Sequence, residues 1–286
     1  MKKNSSNIVL ALILLVGLSL ILYPSVSDYW NSFHQSRAIV RYAETVSEIG
    51  GDAYDAMWQA AQDYNEKLSR IGIRWKLSDE ERSEYEALLD VTGTGIMGYI
   101  EIPQIKCSLP IYHGTAESAL QIAVGHLEGS SLPVGGEGSH CLLSGHRGLP
   151  SARLFTDLDK LREGDVFLLR TLDETLSYEV DQIRIVLPFE LDELKIEPGR
   201  DYCTLITCTP YGVNSHRLLV RGHRVENAPE ARAIRVTGDA FQIEPAVVAP
   251  ILALPMLLLL LIVMLVNSSR RRRRNRILKR KGSENG

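Results

Sequence analysis

The stretch YCTLITCTPYGVNSHRLLVRGHR, residues 202–224, contains two strand-like runs on either side of a turn. The first run, residues 204–207, is β-branched and aliphatic and ends at Cys208, whereas the second run begins at Arg217. The residues between them are rich in Pro, Gly and Asn, so the pattern predicts a hairpin with a longer loop. In such a hairpin Cys208 lies at the end of one strand and Arg217 at the start of its partner, and both face the same opening.

These residue types suit nucleophilic catalysis if an acid/base is close by. A thiol becomes a nucleophile when a cation or a base lowers its pKa, and Arg217 is a permanent charge for a thiolate, a carbonyl or an oxyanion. Upstream, residues 141–146 form another apolar strand that ends at His146, the candidate acid/base. Three alternatives remain open from the residues alone: a buried structural Cys208, a solvated Arg217, and His216 in place of His146.

Two apolar runs lie near the ends of the chain. Residues 8–23 follow two lysines, and residues 246–266 contain no charge and would span about 31 Å as a helix, close to a bilayer core. Nine of the twelve residues at positions 270–281 are basic, so the positive-inside rule places both termini in the cytoplasm and the middle outside. We expect the first run to be a retained anchor, although residues 25–27 resemble the cleavage site of a signal peptide.

The formal net charge of −3 conceals an asymmetry, because basic residues gather at the two ends of the chain. The middle of the chain is therefore acidic. An acidic exterior domain argues against a nucleic-acid partner.

Neither the cysteines nor the histidines form a recognisable framework. The four cysteines are Cys107, Cys141, Cys203 and Cys208. Their spacing is not that of a disulfide scaffold, and we expect buried thiols, with Cys141 and Cys203 as neighbours if their strands run side by side. The histidines at positions 113, 126 and 140 show no metal-ligand spacing, so we expect structural histidines, no metal and no cofactor.

The chain changes character near residue 95. Residues 27–91 carry apolar residues at helical spacing, interrupted by a loop at residues 71–76 that contains Trp75. From residue 95 onward, eight short strands separated by Gly/Pro turns suggest a closed barrel or a sandwich. Among these strands the pattern predicts one at residues 120–124 and an amphipathic helix at residues 151–162.

Four segments stand out in the sequence: TLITCTPYGVNSHRLLVRGHR (204–224), LLSGHRGLP (142–150), GHLEGSSLPVGG (125–136) and MGYIEIPQI (97–105). In these segments the chain resembles the sortases, and specifically the class C, pilus-building sortases of Gram-positive bacteria. The order of helices, lid, barrel and C-terminal span also matches. The TLxTC strand end, the arginine nine residues later and the upstream GHR form a highly specific combination.

The resemblance implies a mainly β fold, a closed eight-stranded sortase-type β-barrel with an N-terminal helical segment and lid and a transmembrane helix at each end. It implies that the strands carrying His146 and Cys208 are adjacent and parallel. It further implies Cys208 as nucleophile, His146 as general acid/base and Arg217 as the group that holds substrate and oxyanion. The implied partners are pilin subunits with LPxTG-like sorting signals and an acceptor lysine of the next pilin.

The expected organisation has six parts. They are a signal-anchor segment (1–26), an extracellular helical region (27–94) with a lid at about 71–77, a catalytic barrel (95–228), a linker (229–245), a transmembrane helix (246–266) and a basic cytoplasmic tail (267–286).

The expected lid departs from the family pattern. Class C sortases usually carry an Asp-Pro-aromatic motif whose acid pairs with the active-site arginine, and the corresponding segment here is Ile73-Arg74-Trp75. The aromatic residue of the motif is present as Trp75, but the acid is not, and Arg74 would repel Arg217. We expect a lid held by Trp75 alone, with simple packing of Trp75 on the barrel as the alternative.

Three other functions are compatible with parts of the pattern. A thiol, a histidine and an arginine would also serve a simple cysteine peptidase. A housekeeping sortase that attaches proteins to cell-wall precursor is disfavoured by the C-terminal span and the helical extension. A non-catalytic pilus-assembly scaffold would not need Cys208, His146 and Arg217 together.

Overall fold

The computed structural model describes residues 2–228, with side chains from residue 13 onward. The expected linker, C-terminal span and basic tail lie outside this range. The helices are α1 (Lys2–Ser47), α2 (Gly51–Ile71), α3 (Asp79–Ala87) and the short α4 (Glu117–Leu120). The strands are β1 (Ile96–Ile102), β2 (Cys107–His113), β3 (Val124–His126), β4 (Ser139–Ser144), β5 (Val166–Thr171), β6 (Glu174–Val186), β7 (Asp201–Thr209) and β8 (His216–Val225).

The apolar start of the chain and residues 27–228 belong to separate compact units. Within the described range, one helix, Ile13–Ser47, is long and apolar enough to cross a membrane, a criterion that signal sequences also meet. The later part of α1 packs on the barrel through Tyr42, which is fully buried. The Tyr42 hydroxyl donates to the carbonyl of Met97 (3.0 Å) and accepts from the amide of Leu172 (2.8 Å). This end of α1 is therefore part of the folded domain.

The eight strands close into a barrel in the order β1-β2-β3-β4-β7-β8-β6-β5, which confirms the barrel and excludes the sandwich. Most neighbours are antiparallel, but β2 and β3 run parallel, and so do β4 and β7. The parallel pairing of β4 with β7 confirms the arrangement that the family resemblance implies. It brings the carboxyl ends of these two strands to the same edge of the barrel.

Side chains of β7 alternate between two apolar clusters, as a strand requires. Cys203 and Leu205 belong to the main barrel core. Ile206 points the other way and packs in a smaller outer cluster with Leu142, Leu194 and Leu219. Because Cys208 lies two residues after Ile206, its side chain projects from the same outer face, at the end of the strand.

Two local predictions were wrong. Residues 151–162 contain only a 3₁₀ turn at Leu158–Lys160 instead of an amphipathic helix. The apolar residues of this segment are buried by tertiary contacts, and α1 binds its backbone, since Asn31 donates to the carbonyl of Ser151 (2.8 Å). The strand expected at residues 120–124 begins only at Val124 and is preceded by α4.

Cys141 and Cys203 are register partners in the β4–β7 ladder, so they are neighbours. Both side chains are buried, and both thiols are free. Burial raises the pKa of the Cys203 thiol well above its ordinary value, and the hydrogen-bonded Cys141 thiol beside it acts in the same direction. In this structure the pair therefore behaves as core packing.

Candidate active site

Cys208 and Arg217 lie directly opposite each other in the antiparallel β7–β8 ladder. Opposed residues of an antiparallel pair project from the same face with their Cβ atoms about 4.5–5.5 Å apart. Nη1 of Arg217 donates to the carbonyl of His216, the first residue of β8 (3.1 Å), and to the carbonyl of Asn214 in the turn before it (3.3 Å). No carboxylate among residues 13–228 lies within ion-pair distance of Arg217, so its charge is not neutralised by a neighbour in this range.

His146 lies just beyond the end of β4. The β4–β7 ladder ends with Ser144 opposite Ile206, but the amide of Gly145 still donates to the carbonyl of Ile206 (3.0 Å). The Thr207 hydroxyl in turn donates to the carbonyl of Gly145 (2.8 Å). The two chains thus stay together past the last ladder pair, and continuing the same register by two residues brings His146 opposite Cys208.

The position of His146 depends on a close contact at Gly145. A Cβ atom at this position would lie 2.7 Å from the ring of Phe155, which is fully buried. The amide of Phe155 also donates to the carbonyl of His146 (3.1 Å). The segment that follows β4 is therefore fixed on both sides, and the His146 side chain remains 28% exposed.

A cavity of about 260 Å³ lies beside these residues. Its wall combines the guanidinium-bearing Arg217 and the ring of Trp75 with apolar side chains from α4, the outer face of the barrel and the β6–β7 connection. Cys208 and His146, though both described, are not part of its lining. The cavity does reach Arg217, the residue opposite Cys208, and a mostly apolar wall with a few polar groups is typical of a ligand-binding site.

The three residues of the expected lid meet different partners. Ile73 packs against the outer apolar cluster, and Trp75, which is 47% exposed, lines the cavity. The amide of Arg74 donates to the carbonyl of Gly129 (2.9 Å), and the Arg74 guanidinium pairs with Glu81 of α3 (3.1 Å). The charge of Arg74 is thus balanced by an acid on the helical segment.

Three other histidines of the barrel, at positions 113, 126 and 140, have structural partners. His126 contacts the Tyr85 hydroxyl through Nδ1 (2.9 Å), and His140 contacts the Thr204 hydroxyl through Nε2 (2.7 Å). Burial lowers the pKa of His140 to about 4, so its ring is neutral. His113 binds backbone carbonyls through both nitrogens. Within the part of the chain that the structure describes, no group of His, Cys, Asp and Glu side chains could hold a metal.

Two residues near the site were missed by the sequence analysis. Arg147 pairs with Asp159, and its Nη1 lies 3.4 Å from the hydroxyl of Thr209, the residue after Cys208. Arg147 belongs to the GHR motif, and this could have indicated that it lies near the site. Glu117 of α4 lies with Oε2 3.5 Å from Nε2 of His146. No sequence signal marks Glu117, because the contact arises from the path of the chain between β2 and β3.

Comparisons with known proteins give one family. The model of the sortase domain matches residues 100–225. The crystal structure of sortase C1 from Streptococcus agalactiae is 53% identical, with a TM-score of 0.66, and the match covers 67% of this chain and 100% of that one. Sortase C of Streptococcus pneumoniae is 46% identical, with a TM-score of 0.61, over 68% of this chain and 99% of that one.

Curated relatives match over shorter segments. Sortase D of Bacillus subtilis is 30% identical over 131 residues, which is 45% of this chain and 63% of that protein. Sortase A of Streptococcus agalactiae is 29% identical over 117 residues, or 40% of this chain and 47% of that protein. The chain thus spans less than two thirds of these two relatives, whereas it covers the solved class C structures almost completely. It belongs to the sortase family of cysteine transpeptidases, as a class C sortase.

Proposed function

We propose that this chain is a pilus-building transpeptidase. It cleaves an LPxTG-like sorting signal between Thr and Gly, holds the acyl group as a thioester on Cys208, and transfers it to a lysine amine of another pilin. The observation that carries this proposal is the placement of Cys208 and Arg217 as opposed residues at a strand end, with His146 following the adjacent parallel strand. A further support is the 46% identity to a pneumococcal sortase C whose structure is described in terms of pilin substrate specificity.

In the first half-reaction the Cys208 thiolate attacks the carbonyl carbon of the threonine. The new C–S bond gives a tetrahedral oxyanion, which the Arg217 guanidinium stabilises from across the strand pair. The C–N bond to glycine then breaks, and the His146 imidazolium donates its proton to the departing amine. The products are a thioester and a peptide with a free amino terminus.

In the second half-reaction a neutral lysine amine of the acceptor pilin attacks the thioester carbonyl. His146, now neutral, takes the proton of this amine, and the C–S bond breaks to release the Cys208 thiolate. The new bond is an isopeptide between threonine and lysine. His146 and Cys208 have returned to their starting protonation states, so no cofactor is consumed.

We propose that residues 71–77 act as a lid over this site. Ile73 packs on the outer cluster, and Trp75 lines the same cavity as Arg217. Arg74 attaches the segment through Gly129 and Glu81. Opening the lid admits the sorting signal. Because no residue of the segment pairs with Arg217, this arginine is free to bind substrate once the lid has moved.

We propose that the barrel lies outside the cell, with residues 1–26 as a retained anchor and residues 267–286 in the cytoplasm. The apolar α1 and the basic tail support this orientation. The test is labelling of a single cysteine, introduced near one terminus or the other of the Cys208→Ala chain, with a membrane-impermeant reagent on intact cells. Labelling at either terminus would contradict the proposed topology.

Pilin polymerisation by the full chain tests the proposed function. The chain in lipid vesicles, mixed with a pilin that carries an LPxTG-like signal, should give covalent polymers that resist denaturation. Cys208→Ala should give none, and His146→Ala should be slower by roughly 10²–10⁴-fold. Polymers formed at the normal rate by Cys208→Ala would refute the proposal, and transfer only to cell-wall precursor would indicate a housekeeping sortase.

A further inference from the structure

The buried nitrogen of the His146 ring faces a carboxylate. Nε2 of His146 is shielded from solvent and has no hydrogen-bond partner. The nearest acid is Glu117, with its Oε2 atom at 3.5 Å. This separation exceeds the usual 2.7–3.2 Å of a hydrogen bond, but it lies within ion-pair distance. A proton on Nε2 would turn this contact into a charge-assisted interaction.

The backbone around Glu117 is fixed by close packing. Thr115 leads into α4 and crosses β3 at Gly125, where a Cβ atom would lie 2.4 Å from the carbonyl oxygen of Gly114 and 3.2 Å from the Cα of Thr115. After α4, the carbonyl of Ile122 accepts a hydrogen bond from the Gln35 amide of α1 (2.7 Å). Contacts on both sides of α4 therefore determine where Glu117 lies.

A second side chain orients the carboxylate. Gln121, one turn later, donates to Oε1 of Glu117, which leaves Oε2 on the side of His146. The hydrogen bond from Gln121, followed by the neighbouring His146, holds the pKa of Glu117 below its ordinary value. Glu117 is therefore ionised at neutral pH.

The other charged groups around the ring have different partners. Arg147, on the same loop as His146, pairs with Asp159, and Arg217 on β8 donates to backbone carbonyls. The remaining titratable group on the neighbouring strand is Cys208 of β7. Across residues 13–228, Glu117 is the one carboxylate within ion-pair distance of the His146 ring.

We propose that Glu117 is a positioning residue that favours the imidazolium form of His146 and keeps the proton of the neutral ring on Nε2. Nδ1 is then the nitrogen that exchanges a proton with the departing and arriving amines. Glu117 stays ionised throughout, so the reaction balances as before. This inference rests on the proposed function, because it assigns a partner to the acid/base of that reaction.

The direct test follows the titration of His146 itself. Histidine-selective ¹³C NMR of the detergent-solubilised full chain gives the signal, which is identified by its loss in His146→Asn. In Glu117→Gln the midpoint of this titration should fall, and only by a small amount because the carboxylate is 70% exposed. Glu137→Gln removes the same charge from another exposed glutamate and should leave the midpoint unchanged.

The rate of thioester formation gives an independent reading. At pH values well above the midpoint, a lower midpoint means that a smaller fraction of His146 is imidazolium. Thioester formation by Glu117→Gln should therefore be roughly two- to fivefold slower than by the wild type. Well below the midpoint both rings are protonated, and the two rates should converge. A purely structural defect would slow the variant equally at every pH, and Glu117→Asp should recover part of the loss.

Two results would overturn the inference while leaving the proposed function intact. One is an unchanged His146 titration in Glu117→Gln in a chain whose wild type forms the thioester. The other is a raised KM for the amine acceptor with unchanged thioester formation, which would assign the carboxylate to the incoming lysine. Failure of the wild type to form a thioester would instead refute the proposed function, and the NMR titration is readable in either case.

Discussion

At the scale of single residues, the Arg217 guanidinium binds the neighbouring backbone with one nitrogen and has donors left for the substrate. Nη1 is used by carbonyls of its own turn, and the rest of the planar guanidinium remains for substrate. A lysine has a single nitrogen and cannot serve both. We expect Arg217→Lys to slow thioester formation by about 10²-fold, as for loss of an oxyanion donor.

Steady-state kinetics on a sorting peptide measure this effect. Arg184→Lys, on an exposed part of β6, is the matched control and should behave like the wild type. If Arg217→Lys kept the full rate, a point charge would be sufficient, and the role assigned to the planar guanidinium would be wrong.

The four thiols should differ strongly in reactivity. Cys141 and Cys203 are buried, whereas Cys107 and Cys208 are both partly exposed as residues. Burial of the Cys107 thiol nevertheless raises its pKa to about 12. Brief alkylation of the folded chain should therefore modify Cys208 at least about 100-fold faster than the other three, since the thiolate is the reactive form. Peptide mass spectrometry measures the four rates, and faster modification of Cys107 would contradict this description of the site.

At the scale of elements, the lid segment depends on one glycine. Gly129 has φ +79°, and a Cβ atom there would lie 2.0 Å from the carbonyl oxygen of Arg74. Gly129→Ala must therefore displace residues 73–75 from the barrel and break the hydrogen bond that Arg74 makes to Gly129. A side chain at positive φ adds about 1–2 kcal/mol of strain.

Displacing the lid should expose the catalytic thiol. We expect Gly129→Ala to speed the reaction of Cys208 with a bulky maleimide by about fivefold or more, and Trp75→Ala to do so by a smaller factor. Gly93→Ala is the control, because Gly93 also has a positive φ of 67° but no atom within 4 Å of its Cβ position. Unchanged reactivity of Cys208 in both lid variants would show that residues 71–77 are not a lid.

The elements also show where a sequence pattern fails. The apolar residues Leu154, Phe155, Leu158 and Leu161 recur at helical spacing, and all four are buried. The segment that carries them is nevertheless irregular, and it packs against Gly145 and α1. Tertiary contacts overrode the local period. Strands with Gly/Pro turns were predicted correctly for most of the barrel because alternation and turn residues are both local signals.

At the scale of the whole molecule, the closed barrel and the parallel β4–β7 pair followed from motifs and family resemblance. The proximity of Glu117 to His146 could not be foreseen, since it depends on how the β2–β3 connection crosses the sheet. The partner of Arg74 could not be foreseen either. Glu81 is adjacent only because α3 folds back beside the lid segment.

The most direct test of the account is the mass of the chain after reaction with a sorting peptide. Full-length protein in detergent, mixed with an LPxTG peptide and quenched in acid, should gain the mass of the peptide up to threonine, and hydroxylamine should remove it. The adduct should map to Cys208 and be absent from Cys208→Ala. An adduct that persists in Cys208→Ala, or peptide cleavage by that variant at the wild-type rate, would contradict the central claim.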